Sequence, residues 1–181
     1  MASWSRIARR IRVPLGFAFA VLFLWLAHPT WKSIALGVIF IVIGLAIRTL
    51  ASGHVEKNER LATTGPYAYT RNPLYLGSLI LAIGFAIASR NWWVGAILIV
   101  MLLAIYLPVI RSEEQFLRER FPEFEQYSRQ VPRLWPRMTG INKTPDMFSW
   151  QLYWKHREYN AALGVLALLT ILMVKLLWFS K

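Results

Sequence analysis

Five long apolar runs, at residues 13–27, 33–47, 74–89, 92–110 and 161–179, constrain this chain more than any other feature. None of them contains an Asp or Glu. A helix needs about 20 apolar residues to cross roughly 30 Å of hydrocarbon. The first three runs fall short of that. They must borrow flanking residues, with long basic side chains reaching out to the headgroups. Trp25, Trp31, Trp92, Trp93 and Trp178 stand at run ends, where interfacial indoles belong. The pattern predicts an all-α polytopic integral membrane protein of about five transmembrane helices with a helical cap outside the bilayer.

The links between runs are informative. Residues 28–32 join the first two, and Arg90-Asn91 joins the third and fourth, so each pair forms an antiparallel hairpin. Gly37 and Gly44, like Gly77 and Gly84, are seven residues apart. That is about two helical turns, the spacing of a small-residue face where backbones approach, though ordinary membrane-helix glycine fits equally well. The net charge is +12. In a soluble protein that would suggest nucleic acid. Here the cations occupy the links, so they read as topology and contact with anionic headgroups, with no nucleic-acid partner.

With the N-terminus inside, the inner segments hold four Lys/Arg before the first run, four over residues 48–71 and nine over 111–157, out of 21. All nine acids fall inside too. The orientation expected is therefore N-in and C-out. Arg6, Arg9, Arg10 and Arg12 before an apolar run imitate a signal peptide, but Leu26-Ala27-His28-Pro29 is a poor cleavage site. The first run reads as a retained anchor.

Residues 1–181 form a single membrane domain in this reading. Residues 13–50 make an N-terminal helical hairpin, 52–137 a core that carries the site, and 138–181 an interfacial loop and the last transmembrane helix. Beyond the fourth run, Phe116/Leu117, Phe121 and Phe124 recur every three to four residues, the mark of an amphipathic helix. Pro122 splits it into two short helices. Val131-Pro132 and Trp135-Pro136 make a turn-rich strip, and residues 138–146 a loop along the interface.

Three constellations carry chemistry. In Gly65 to Gly77, Asn72 suits an N-cap and Pro73 the first turn of a membrane helix. The free N–H groups of that helix start and the fork of Arg71 suit an anionic or polar ligand. A capped return into the membrane with interfacial tyrosines fits the same residues. In Arg111-Ser112-Glu113-Glu114, the adjacent carboxylates point about 100° apart on a helix. One can face a ligand while the other pairs with Arg111, Arg118 or Arg71. A solvated charged face is the plainer alternative. The basic–aromatic strip from Tyr127 to Pro136 reads, on its own chemistry, as a headgroup anchor.

Other chemistries are excluded. Without cysteine there is no disulfide, thiolate nucleophile or Cys-based metal site. His28, His54 and His156 are dispersed, so no metal is expected. No phosphate loop or Gly-x-Gly-x-x-Gly occurs. Spans free of acids argue against proton-coupled transport.

Taken in order, these blocks resemble the isoprenylcysteine carboxyl methyltransferase family, membrane enzymes related to the phospholipid N-methyltransferases. The resemblance is carried by Leu61, Thr64-Gly65-Pro66-Tyr67, Arg71-Asn72-Pro73-Leu74-Tyr75-Leu76-Gly77, Glu113-Glu114, Leu117, Phe121-Pro122-Glu123-Phe124, Tyr127, Val131-Pro132-Arg133 and Pro136. It covers just under half the chain. It implies an S-adenosyl-L-methionine-dependent methyltransferase. Its cofactor would be held by Leu61, Gly65, Tyr67, Arg71, Asn72, Pro73, Tyr75, Glu113 and Glu114, with Arg71, Glu114 and Arg133 in catalytic roles. It also implies a lipophilic methyl acceptor that arrives from surrounding membrane lipid, and a multi-pass protein of the bacterial inner membrane with its site facing the cytoplasm. The departure is Asn72, where the family's strongest pattern has His. Asn hydrogen-bonds but is no acid or base near pH 7, so the departure bears on the acceptor more than on the cofactor. Two rivals share these residues. A sterol-reductase-like enzyme has a similar Arg-x-Pro-x-Tyr block but uses NADPH, and lacks a reason for Glu113-Glu114. A lipid-binding scaffold would use the motifs only as anchors.

Overall fold

The structure, a computed structural model, describes residues 2–56, 59–141 and 147–179. Helices α1 (Ala2–Leu26) and α2 (Trp31–Ser52) precede a short 3-10 turn at Gly65–Ala68 and helix α3 (Pro73–Ser89). Helix α4 (Trp92–Met101) passes through a π turn (Leu102–Tyr106) into α5 (Leu107–Arg120). Then come α6 (Phe124–Gln130), α7 (Trp150–Lys155) and α8 (Tyr159–Phe179). Helix α2, the continuous rod Trp92–Arg120 and α8 are long and apolar enough to cross a membrane. Pro14–Leu26 and Pro73–Ser89 are shorter apolar segments. The protein is an all-α polytopic membrane protein. Its bare apolar side chains, among them Phe17, Val42, Val100 and Leu166, face outward as lipid-facing residues do.

The ends of the helices sort into two layers. At one end, His28 N–H donates to Ser89 O (2.8 Å), and Asn91 Nδ2 to Leu26 O (2.9 Å), tying the two hairpin turns together. Lys175 Nζ brings α8 to the same end by donating to Leu24 O (2.6 Å) and Trp25 O (3.1 Å). Trp25, Trp31, Trp92, Trp93 and Trp178 are all exposed there. At the other end, Arg48 Nε lies 2.6 Å from Glu158 Oε1.

Helices α2 and α3 are in backbone contact. A Cβ on Gly37 would sit 2.5 Å from Gly84 O, and one on Gly44 2.7 Å from Gly77 O. The paired glycines are therefore the close-approach face, not incidental ones. Ser33 Oγ continues the seam by donating to Ala88 O (3.0 Å).

The π turn has a local cause. Pro108 has no N–H to give to Ala104 O, so the α-helical ladder must open there. Leu107 N–H reaches back to Leu102 O instead. Trp4 Nε1 of α1 takes up the freed Ala104 carbonyl at 3.0 Å. A backbone group released inside a membrane bundle needs such a partner.

The split at Pro122 is as expected, with α5 ending at Arg120 and α6 starting at Phe124. Phe124, Tyr127 and Val131 form a buried cap cluster with Leu61, Leu117, Phe121 and Ile141 packed on it. Phe116 differs from the amphipathic reading: it is exposed, and Leu117 takes the inward position. Helix α7 was not anticipated; Trp150 and Trp154 stand exposed on it. Of the loop expected over 138–146, residues 142–146 lie outside the described residues.

The seam makes a contrast between glycines. Gly37→Ile drives carbon into backbone that cannot give way, so we expect a loss of about 3 kcal/mol or failure to accumulate. Gly164→Ile, with nothing within 4 Å of its Cβ, should leave the melting temperature in detergent unchanged. Equal effects of the two would contradict the seam.

Candidate active site

The buried face of α5 carries Val109, Ile110 and Glu114. The same helical face that packs the bundle thus turns a carboxylate inward one turn after Ile110. Glu114 is only 3% exposed. Its Oε1 accepts from Asn72 Nδ2 at 2.9 Å and lies 3.5 Å from Arg71 Nε. Its Oε2 accepts from Arg133 Nε at 2.9 Å, with Arg133 Nη2 at 2.8 Å. One carboxylate between two guanidiniums keeps its charge compensated despite burial.

The strip after α6 is laced to the segment before α3. Arg71 N donates to Pro132 O (2.9 Å), Thr70 Oγ1 to Arg133 O and Leu134 O (3.2 Å each), and Arg137 N to Tyr69 O (3.0 Å). Prolines keep the strip out of helix, which leaves its carbonyls free to accept. The strip is therefore a wall of the site as well as a basic–aromatic surface.

Asn72 occupies the N-cap position of α3 but makes no side-chain cap bond. This corrects its expected role as a cap. Its amide donates instead to Glu114 and to Arg133 O (3.0 Å), which uses both Nδ2 hydrogens.

Arg71 is unfinished. Its Nε is buried without a hydrogen-bond partner, Glu114 Oε1 standing off at 3.5 Å. Its guanidinium carbon lies 5.9 Å from the Phe124 ring centroid. Burial pulls the Arg71 pKa below its ordinary value, and Glu114 opposes that. A buried N–H without an acceptor costs about 1–3 kcal/mol, so this donor suits a ligand that brings an acceptor.

Glu113 points elsewhere and accepts from Tyr75 Oη at 2.9 Å. Tyr75 meets Tyr106 edge to face at 5.9 Å. Both rings line an apolar chamber of about 220 Å³ that also touches Phe19, Phe85, Leu134 and Leu168. Along α3 it runs from Tyr75 to Phe85, about 15 Å at the rise of a helix. Polar cluster and chamber meet at two places: Tyr75 with Glu113, and Leu134 next to Arg133.

Arg71, Asn72, Glu114 and Arg133 thus come together, with Tyr75 and Glu113 adjoining and Pro73 opening α3. The other candidates serve the surroundings. Leu61 packs on the cap cluster. Gly65 has φ +55°, and a Cβ there would lie 2.6 Å from the His54 ring. Tyr67 O accepts from Tyr127 Oη at 2.8 Å. Sequence reasoning missed Thr70, Tyr106 and Leu134. It also missed the Arg48–Glu158 pair, whose signal was a cation ending the second run and an acid just before the fifth. Among the described residues, no three metal-capable side chains cluster.

The sequence of the phospholipid methyltransferases matches residues 15–123. The chain belongs to the phospholipid methyltransferase family. The match includes Arg71, Asn72, Tyr75, Glu113 and Glu114 and stops short of Arg133 and α8. Similar family relatives include the cobalt-zinc-cadmium resistance protein CzcN of Cupriavidus metallidurans, 31% identical over 71% of this chain and 62% of that protein. The nickel-cobalt-cadmium resistance protein NccN of Alcaligenes xylosoxydans xylosoxydans is 31% identical over 62% of this chain and 57% of its own. The protein-S-isoprenylcysteine O-methyltransferase of Schizosaccharomyces pombe is 28% identical over 72% and 57%. The chain spans about three fifths of the length of these curated relatives. No solved structure matches it.

Burial raises the Tyr67 and Tyr127 hydroxyls above the usual phenol range. Their stabilising contribution is therefore complete below the unfolded value near pH 10 and is lost as pH rises toward the folded values. Tyr127→Phe should cost about 1 kcal/mol at neutral pH and soften the alkaline decline. A denaturation series across pH checks both; an unaltered alkaline limb would contradict the coupling.

Proposed function

We propose that this protein is an S-adenosyl-L-methionine-dependent methyltransferase that acts on a lipophilic acceptor. The observation that carries the reading is the junction at Tyr75 and Leu134. There a charged, donor-rich cluster inside a methyltransferase family adjoins an apolar chamber between helices. A polar cofactor and a hydrocarbon acceptor need these two environments side by side.

The residues fit the cofactor. Arg71 Nε is a buried donor that lacks an acceptor, as a ligand carboxylate would supply. Tyr75 and Tyr106 offer ring faces suited to a cation. When bound, S-adenosyl-L-methionine supplies the electrophilic methyl group. Arg71, Asn72, Tyr75, Glu113 and Glu114 would hold it, with Leu61, Gly65, Tyr67 and Pro73 shaping the surround. Arg133 and Glu114 fix the strip over the site, and Leu134 keeps water from the chamber side. Displacement at a methyl carbon is in-line, so such positioning supplies much of the rate. Glu114 is engaged at both oxygens. Glu113 is the carboxylate better able to receive a proton, through Tyr75 Oη, from an amine or hydroxyl acceptor. A carboxylate acceptor would need no such help.

The test is calorimetric titration of the detergent-purified protein with S-adenosyl-L-methionine, with NADPH in parallel. We expect saturable binding of the first alone, weakened about tenfold or more in Arg71→Gln and Glu114→Gln through loss of a charge-assisted bond. NADPH binding, or folded protein that binds neither, would overturn the reading.

The proposal includes five crossings with the N-terminus and the site on the cytoplasmic side. It is supported by the charge bias and by the alternate direction of the five helices. Because the chain has no cysteine, single-cysteine variants report topology directly. An impermeant maleimide on intact cells should label Arg90→Cys, and should label Gln126→Cys only after permeabilisation. The reverse pattern would invert the orientation.

A further inference from the structure

Helix α8 lies beyond the family-matched residues 15–123, yet it walls the chamber. Among the described residues that line the chamber, only Leu134 and Leu168 fall outside that stretch. Leu134 stands at the polar end, beside Arg133. Leu168 stands at the other. It is ten residues beyond Glu158, about 15 Å along the helix, and it packs into the cluster that contains Phe23 and Phe85. Val165, Leu172 and Leu176 share its buried face, whereas Leu163, Leu166 and Ile171 are exposed.

The height of Leu168 is set at both ends of α8. Below, Glu158 pairs with Arg48 at 2.6 Å. Arg48 Nη1 also donates to Leu74 O (3.3 Å) and to Ser78 Oγ, and Ser78 lines the chamber. Above, Lys175 Nζ holds the last carbonyls of α1. Charged pins in apolar surroundings have few alternative partners, so they fix register. A slip of one residue would move Leu168 by about 1.5 Å and turn it about 100° away from the chamber. The chamber, at about 220 Å³, is smaller than the roughly 300–1,000 Å³ of a drug-sized site. It suits one slender hydrocarbon chain, for which a few carbons at the far wall decide the fit.

We propose that α8 is a length gauge, with Leu168 as the specificity-determining residue that limits the hydrocarbon chain the chamber admits. The assignment rests on the lipophilic-acceptor reading above, but its test does not require methyl transfer. Full-length protein in nanodiscs is irradiated with a homologous series of linear alkanols tipped with a diazirine, and adducts are mapped by mass spectrometry. Wild type should label Phe85 and Leu98 up to a limiting chain length. Leu168→Ala should lengthen that limit by about three carbons, the number removed from the side chain. Leu168→Trp should shorten it, and Leu168→Met should keep it. Leu166→Trp on the lipid face should change nothing. Glu158→Gln should blur the limit by loosening the pin.

If Leu168→Ala, or a folded Leu168→Trp, gives the wild-type limit, the gauge is wrong. It is equally wrong if no chamber adduct forms at any length. Titration with S-adenosyl-L-methionine on the same samples separates the two ideas. A shifted limit without cofactor binding would sink the methyltransferase reading and leave the gauge, and cofactor binding with an unshifted limit would do the opposite.

Discussion

A carboxylate buried at the foot of a membrane bundle has to be compensated, and the surroundings of Glu114 are organised by that requirement. Two guanidiniums and one amide converge on it from two separate places in the chain: Arg71 and Asn72 before α3, and Arg133 after α6. Meeting there forces the strip after α6 to fold back over the start of α3. That return brings Leu134 to the chamber and the cap cluster beneath Arg71. The charge balance, the cap and the site wall are consequences of one buried group.

The bundle above solves a different problem. Lipid offers no hydrophobic drive for helices to associate, so contact must come from close packing and shared polar groups. The α2–α3 seam supplies the packing through four glycines and a serine. Elsewhere polar groups do the joining. The carbonyl that Pro108 frees is met by Trp4, and the open end of α1 is met by Lys175. The π turn that Pro108 imposes also places Leu102 and Tyr106 on the chamber wall, so a backbone irregularity contributes to the proposed acceptor space.

Much of the fold was legible because its signals are local. Apolar runs, interfacial tryptophans, short links and Pro122 each act within a few residues, and the helices follow them. The glycine pairs were ambiguous in sequence, since spacing says that a small face exists but not that a partner backbone occupies it. Part of the site was legible too, because Arg71, Asn72, Tyr75 and the two glutamates sit in compact motifs. The role of Asn72 was misjudged for a physical reason. Its amide is equally good at capping a helix and at bonding a carboxylate, and only the arrival of Glu114 decides between them.

What the sequence determined by itself is what depends on neighbours along the chain: the membrane class, the helix ends and the pool of charged groups near α3 and α5. Tertiary structure alone decided which charges meet. Glu114 takes Arg71 and Arg133 rather than Arg111 or Arg118, and Arg48 finds Glu158 110 residues away. It alone decided that Glu113 turns to Tyr75, and that α8 brings Leu168 to the chamber wall. The reason is that a charge buried from water takes whichever partner packing brings within reach, and packing across a bundle is not encoded by spacing along the chain.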